Sequence, residues 1–135
     1  MNLVIIDYGS GNLRSVENSF KNCVSVNNLK YNIVVTNNLN IISDADHLIL
    51  PGVGSFPDCK NGLLKIIGLF DLLTNEVINK RKKFLGICVG MQLMANESDE
   101  GEMKGLGWIE GKVKKLSSNK EIEILPHMGL SLIHI

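Results

Sequence analysis

One cysteine lies in a turn whose residues could support covalent catalysis. An apolar run, Phe84–Ile87, leads directly into Gly86-Ile87-Cys88-Val89-Gly90, a Gly-x-Cys-x-Gly turn that would open a helix. Small residues on both sides of the cysteine let the chain bend sharply and expose the side chain between them. Unpaired N–H groups at a helix N-terminus would also favour the reactive thiolate. The turn alone is equally compatible with a buried, unreactive thiol, the usual state of a free cysteine.

Two further segments could contribute to the same site. The glycines of Pro51-Gly52-Val53-Gly54 allow successive backbone N–H groups to point into one cleft. Beside a thiolate these amides would form an oxyanion hole, although proline and glycine here could also form a simple turn. The other segment, Asp7–Asn12, contains two glycines of a dinucleotide-binding pattern, but Arg14 occupies the place of the third. A tight turn is therefore a better interpretation than a nicotinamide site.

None of the three histidines stands out as a general base. His47 starts a predicted strand, at the end opposite to the candidate site. His127 lies in a turn that the sequence does not place beside Cys88, and His134 is the penultimate residue. The sequence therefore predicts a nucleophile but not the base that acyl transfer requires.

The order of the apolar runs predicts which elements position these groups. Short apolar runs alternate with longer amphipathic stretches, which is typical of an α/β fold with a doubly wound, mostly parallel sheet. Strands are predicted at Leu3–Ile6, Ile33–Thr36, His47–Leu50 and Phe84–Ile87, and shorter ones near 109–116 and 122–125. Helices are predicted at 13–23, 63–67, 69–78 and 89–95, with a short helix or turn at 41–46. Because ligands bind outside the carboxyl ends of parallel strands, the three candidate segments are expected to meet there.

Composition predicts a single domain, residues 1–135, and argues against several classes of partner. With 14 basic and 14 acidic residues the chain has no net charge, so neither nucleic acid nor a membrane is expected. The basic run Lys80–Lys83 is interpreted as solvating a helix end. Three cysteines without a Cys-x-x-Cys pair predict no disulfide framework, no metal site and a cytoplasmic location. No stretch is long enough to span a bilayer.

Taken together, these segments resemble the class I, or triad, glutamine amidotransferases, in particular the glutaminase subunits of imidazole glycerol phosphate synthase. The resemblance rests on Asp-Tyr-Gly-x-Gly-Asn at 7–12, Pro-Gly-Val-Gly at 51–54, the cysteine turn and Pro-His-Met-Gly at 126–129. It extends from Met1 to Gly129. It implies the flavodoxin-like fold of that family and no cofactor.

The resemblance implies a role for each matching residue. Cys88 would attack the side-chain amide of glutamine, release ammonia and form a glutamyl thioester. Four backbone amides would hold the tetrahedral oxyanion, those of Gly52, Val53, Gly54 and Val89. Gln92 and Glu100 would bind the glutamine substrate, although without the resemblance they fit a solvated helix face and a loop acid.

The resemblance also implies a partner. Six residues match the side that docks onto a cyclase subunit, a β/α barrel: Tyr8, Asn12, Pro126, His127, Met128 and Gly129. The two subunits would form a heterodimer in which ammonia passes to the cyclase for histidine biosynthesis.

The chain departs from the family near its end. The family's catalytic histidine and glutamate lie in a His-Pro-Glu motif, which this sequence does not contain. Residues 130–135 also differ from the family pattern, and we interpret them as an aberrant tail on a C-terminally truncated domain with an incomplete sheet. We therefore expect little turnover from this chain. The alternatives are a non-catalytic fragment that binds the cyclase, or another triad amidotransferase of the anthranilate or pyridoxal phosphate branch, which Pro-His-Met-Gly argues against.

Overall fold

A parallel β-sheet forms the centre of the molecule. The computed structural model describes residues 1–116, and its first sheet has four strands, β1 (Asn2–Ile6), β2 (Asn32–Thr36), β3 (His47–Gly52) and β4 (Lys83–Cys88). They lie in the order β2-β1-β3-β4, and every neighbouring pair is parallel. The predicted parallel sheet is confirmed, and its strand order reverses between β1 and β3, where open sheets of this type bind ligands.

Helices cover both faces of this sheet, as a doubly wound fold requires. They are α1 (Leu13–Val26), α2 (Leu39–Ser43), α3 (Phe56–Lys65), α4 (Leu69–Thr74), which a π-helical turn (Asn75–Asn79) continues, and α5 (Val89–Gln92). Successive side chains of a strand point to opposite faces. Leu3 and Ile5 accordingly pack against α1, whereas Val4 and Ile6 join a larger core with α3 and α4.

A smaller sheet follows α5. Its strands are β5 (Ala95–Ser98), β6 (Met103–Lys104) and β7 (Ile109–Val113), in the order β6-β5-β7. Strand β5 is antiparallel to β6 and parallel to β7. Trp108 connects this sheet to the rest of the fold, since its ring packs edge-to-face on Phe84 with centroids 5.0 Å apart and its Nε1 donates to Thr74 Oγ1. The predicted strand near 109–116 is confirmed, whereas the one at 122–125 and the tail at 130–135 lie outside the described residues.

The bounds of several elements differ from the predicted ones, and three of these differences have a local cause. Strand β3 does not end before Pro51 but continues to Gly52, because β1 pairs with β3 only as far as Ile49 and no hydrogen bond is required from the proline on that side. Helix α3 begins at Phe56, since Ser55 Oγ accepts from Asp58 N–H and caps its first turn. Helix α5 ends at Gln92 because the chain enters β5 at residue 95.

Candidate active site

Cys88 occupies a strained turn at the carboxyl end of β4. It is the last residue of the strand and the residue before α5, and its backbone has φ 54° and ψ −117°. A positive φ is costly for a residue with a side chain, and such strain is concentrated at functional sites. The residue is exposed. The interpretation of Cys88 as a buried thiol is therefore wrong, whereas it does fit Cys59, which has no exposed surface.

The glycines beside Cys88 are required by close packing. A Cβ atom on Gly86 would lie 2.6 Å from Met91 Cα, and one on Gly90 would overlap the carbonyl oxygen of Leu50. Both contacts involve backbone or Cα atoms, which cannot rotate away. The Gly-x-Cys-x-Gly pattern thus reflects a helix that packs directly onto β3 and β4.

The predicted oxyanion segment lies against this turn. Gly52 is paired with Cys88 across β3 and β4, and a Cβ on Gly52 would lie 2.5 Å from the amide nitrogen of Gly90. Val53 and Gly54 follow on the exposed surface, and Gly54 has φ +100°. The Val53 N–H donates to Ser10 Oγ (3.1 Å), and the Ser10 hydroxyl in turn donates to Val53 O (2.8 Å). The structure therefore pairs Gly52 with Cys88 and directs the N–H of Val53 toward Ser10.

A polar cluster of the buried Tyr8 and Cys59 and the half-buried Ser10 supports this segment. Tyr8 is 4% exposed and its hydroxyl donates to Pro51 O at 2.6 Å. Burial, with a hydrogen bond to Cys59, raises the pKa of Tyr8 far above its ordinary value. Cys59 Sγ lies 3.1 Å from Ser10 Oγ and donates to Val53 O. Sequence reasoning missed Ser10 and Cys59, because only the fold brings positions so distant in the chain together.

The predicted docking residues have different environments. Asn12 is exposed, and its side chain accepts from Ser15 N–H and caps α1. Tyr8 lies below the surface and presents almost nothing to a partner. The segment 126–129 lies outside the described residues. Of the predicted interface, the structure thus shows one accessible residue, beside the groove between the β1–α1 loop and α3.

The two predicted substrate-binding residues lie in different elements. Gln92 is the last residue of α5 and is half-buried. Glu100 lies in the short turn between β5 and β6, and its Oε2 accepts from the Phe56 N–H at the start of α3 (2.9 Å). One carboxylate oxygen of Glu100 thus contacts the helix that follows the oxyanion segment.

Within residues 1–116 no general base lies next to Cys88. His47 begins β3, at the opposite end of the sheet as predicted, and packs edge-to-face on Tyr31 with ring centroids 5.5 Å apart. The other two histidines lie outside the described range. The described part contains no group of three side chains suited to hold a metal ion, and none of its helices is both long and apolar enough to cross a membrane.

Comparison with known proteins adds an independent line of evidence. Residues 4–128 match the family model described as glutamine amidotransferase class-I. Similar curated proteins include the imidazole glycerol phosphate synthase subunit HisH of Pelagibacter ubique, which is 46% identical and aligns with 100% of this chain and 64% of its own length. Those of Brucella suis (39% identical) and Rhodospirillum rubrum (42% identical) align with 100% and 96% of this chain and with 63% and 61% of their own length. The chain thus spans somewhat less than two thirds of the length of these relatives.

Proposed function

The chain belongs to the class I glutamine amidotransferases, and on this premise we propose that it carries the glutamine-binding and nucleophilic part of an imidazole glycerol phosphate synthase. The observation that supports this proposal best is the exposed Cys88 in a strained turn that lies against Gly52. A thiol displayed next to backbone amides is suited to acyl transfer. The names of the similar proteins narrow the proposal from the family to this synthase.

The proposed reaction begins at the side-chain amide of glutamine. Cys88 Sγ attacks the amide carbon, a C–S bond forms, and the carbonyl oxygen becomes an oxyanion. The N–H of Val89 and those of the segment 52–54 hold that charge, that of Val53 once it releases Ser10 Oγ. Collapse of the intermediate breaks the C–N bond, and ammonia leaves with the proton that the thiol gave up. Water then cleaves the C–S bond of the glutamyl thioester and releases glutamate.

A base is required to take the proton from the thiol and, later, from the attacking water. His47, the one histidine within residues 1–116, lies at the far end of β3, and the sequence has no His-Pro-Glu motif, so we propose that the 135-residue polypeptide lacks an efficient base. A nucleophile and an oxyanion hole retain part of their effect when a triad member is lost. We therefore expect the 135-residue polypeptide to form the thioester slowly and to turn over glutamine with little or no measurable rate.

The proposed acceptor of the ammonia is a cyclase subunit that docks at the carboxyl edge of the sheet. Both Cys88, the last residue of β4, and the exposed Asn12, which follows the end of β1, lie at this edge. A partner seated there would receive ammonia without its loss to solvent. Binding to the cyclase without any thioester would instead indicate a non-catalytic docking fragment.

Trapping of the covalent adduct tests the proposal. The polypeptide is incubated with isotopically labelled glutamine, quenched in acid and analysed by peptide mass spectrometry. A glutamyl group is expected on Cys88, absent from Cys88→Ser and retained in the matched control Cys23→Ser, since Cys23 lies on the exposed surface of α1. Absence of the adduct at saturating glutamine, or its persistence in Cys88→Ser, would refute the proposed nucleophile.

Docking is tested separately. Purified cyclase subunit is expected to retain the chain in a pull-down, and Asn12→Lys is expected to weaken that association without affecting adduct formation. If the cyclase retains neither protein, the heterodimer proposal fails even when Cys88 is acylated.

A further inference from the structure

The hairpin that carries Glu100 is fastened to α3 at two points. Strands β5 and β6 are antiparallel, and Glu100 lies in the turn between them. Glu100 Oε2 accepts from the Phe56 N–H, and Lys60 Nζ donates to the carbonyl oxygen of Gly105 at 2.8 Å. The first contact is made by a backbone N–H at the start of α3, and the second by a side chain about one helical turn further along. The two hydrogen bonds thus hold the hairpin against α3 at both of its ends.

Lys60 is an unusual residue for the interior. Lys60 is only 7% exposed. No carboxylate of residues 1–116 lies within ion-pair distance of its ammonium group. The ammonium group is 4.3 Å from the centroid of the Phe70 ring, which offers a cation–π contact. Burial lowers the pKa of Lys60. An amine without a counter-ion is costly to bury, so its hydrogen bond to Gly105 is the main polar compensation.

Gly105 is itself packed against the chain that leaves the nucleophile helix. A Cβ atom at this position would overlap Ala95 O and lie 2.7 Å from Leu93 O. The Gly105 N–H donates to Asn96 O (2.8 Å). Through Gly105, Lys60 thus contacts the segment that connects α5 to β5, while the start of its own helix contacts Glu100.

We propose that Lys60 is a positioning residue for glutamine binding. Its bond to Gly105 fixes the hairpin against α3, so that Glu100 keeps one carboxylate oxygen on the Phe56 N–H and presents the other to the ammonium group of glutamine. This inference rests on the proposed function, because it takes Glu100 as the ligand of that ammonium group. Lys60 itself does not contact the substrate.

Covalent labelling of Cys88 with three electrophiles tests the proposal on the 135-residue chain. 6-Diazo-5-oxo-L-norleucine has the shape and the ammonium group of glutamine, 6-diazo-5-oxohexanoate lacks the ammonium group, and iodoacetamide reports thiol reactivity alone. The labelling rate of Cys88 is measured against reagent concentration by mass spectrometry. In the unmodified chain we expect saturation by the first reagent at a lower concentration than by the second, and Glu100→Gln should remove this preference.

Lys60→Met keeps an unbranched apolar stem and removes the donor. We expect it to raise the half-saturating concentration of the amino reagent about tenfold, the effect of losing one charged hydrogen bond that orders the site. The maximal labelling rate, the response to the desamino reagent and the iodoacetamide rate should change less than about twofold, since none of them depends on Glu100. Lys60→Arg retains a donor and should restore most of the preference. If Lys60→Met does not fold by circular dichroism, the shorter Lys60→Gln is used for the same comparison.

The outcomes separate this inference from the proposed function. If the amino reagent does not label the unmodified chain saturably, the proposed glutamine site is refuted. If it does, and the folded Lys60 variant has an unchanged half-saturating concentration, the positioning role is refuted while the site remains. Equal slowing of all three reagents would indicate a general loss of structure and would also refute the positioning role.

Discussion

Replacing Lys82 with methionine is expected to destabilise the fold far more than the same change at Lys80. Both ammonium groups contact the carboxylate of Glu76 at similar distances, 2.8 Å from Oε2 for Lys82 and 2.7 Å from Oε1 for Lys80. Glu76 is 1% exposed, and the side chain of Lys82 is 12% exposed against 55% for Lys80. Both lysines compensate the carboxylate, and Lys82 is the partner whose own charge is also largely withdrawn from solvent.

The size of the effect follows from burial. Breaking a buried ion pair by removing one partner costs about 3–5 kcal/mol, because the other charge stays buried without compensation. Exposed pairs at i,i+4 contribute only about 0.3–0.5 kcal/mol. Lys82 Nζ also donates to Ser43 O at 2.6 Å, whereas its contact with Oε2 is a close ion contact without hydrogen-bond alignment. Since Lys80 remains in place, we expect a loss of about 3 kcal/mol for Lys82→Met and below about 1 kcal/mol for Lys80→Met.

Urea unfolding followed by circular dichroism at pH 7 measures both losses. The double variant Glu76→Leu with Lys82→Met provides the control, because an apolar pair of similar volume is often neutral relative to a buried ion pair. We expect the double variant to recover about 2 kcal/mol of the loss seen in Lys82→Met. Equal losses for the two lysine variants, or a double variant less stable than Lys82→Met, would contradict the assignment of Lys82 as the buried partner.

The same cluster predicts a dependence on pH. Burial alone would raise the pKa of Glu76, but the two lysines outweigh it and hold the pKa below its ordinary value of 4.5. A carboxylate with a lowered pKa stabilises the folded state above its unfolded pKa, and that contribution is lost as the pH falls through the folded value. Glu76→Gln should therefore flatten the loss of stability below about pH 5, measured as unfolding free energy against pH. A curve parallel to that of the unmodified chain would show that Glu76 is not linked to acid unfolding.

Three further predictions concern single residues of the site and its support. Gly90→Ala would overlap a carbonyl oxygen of β3 and should cost more than about 3 kcal/mol of unfolding free energy, whereas Gly9→Ala, at φ +84° but in open space, should cost about 1 kcal/mol. Tyr8→Phe leaves the buried Pro51 carbonyl without its donor and should cost about 1–2 kcal/mol in the same assay. Burial lowers the pKa of Lys60 in the folded state below its ordinary value of 10.5. Between these two pKa values the unfolded chain binds more protons than the folded chain, so the free energy of unfolding should rise with pH up to about 10.5. Lys60→Met should remove this rise, and an unchanged alkaline limb would contradict it.

The elements that position the nucleophile could be predicted because their signals are local. The apolar runs at 3–6, 33–36 and 84–87 all lie within observed strands, since a buried parallel strand needs little beyond β-branched and apolar residues. The cysteine turn was equally visible, because close backbone packing leaves glycine as the one residue that fits at 86 and 90. In both cases the cause acts within a few positions of the chain.

The contacts that support the site could not be predicted in this way. Lys60 and Gly105 are 45 positions apart, and Ser10 and Val53 are 43 apart, so no periodicity or local pattern relates them. The basic run 80–83 shows the same limit. The sequence alone favours a role in solvating a helix end, but two of its lysines contact the carboxylate of Glu76, which is buried by the fold.

The strain at Cys88 and the buried charge at Lys60 are connected by packing. A backbone at φ 54° persists only when its surroundings determine it, and here Gly52, Gly86 and Gly90 bring three segments into backbone contact around it. Those contacts fix the turn on the side of β3 and β4 but not the chain that leaves α5. Lys60 contacts that chain through Gly105, from a helix that begins directly after the oxyanion segment. The thiol, the oxyanion segment and Glu100 can act on one glutamine only if their relative positions are fixed. Glycine fixes the geometry of the nucleophile turn, and the hydrogen bond from Lys60 to Gly105 fixes the distance between α3 and the hairpin that carries Glu100.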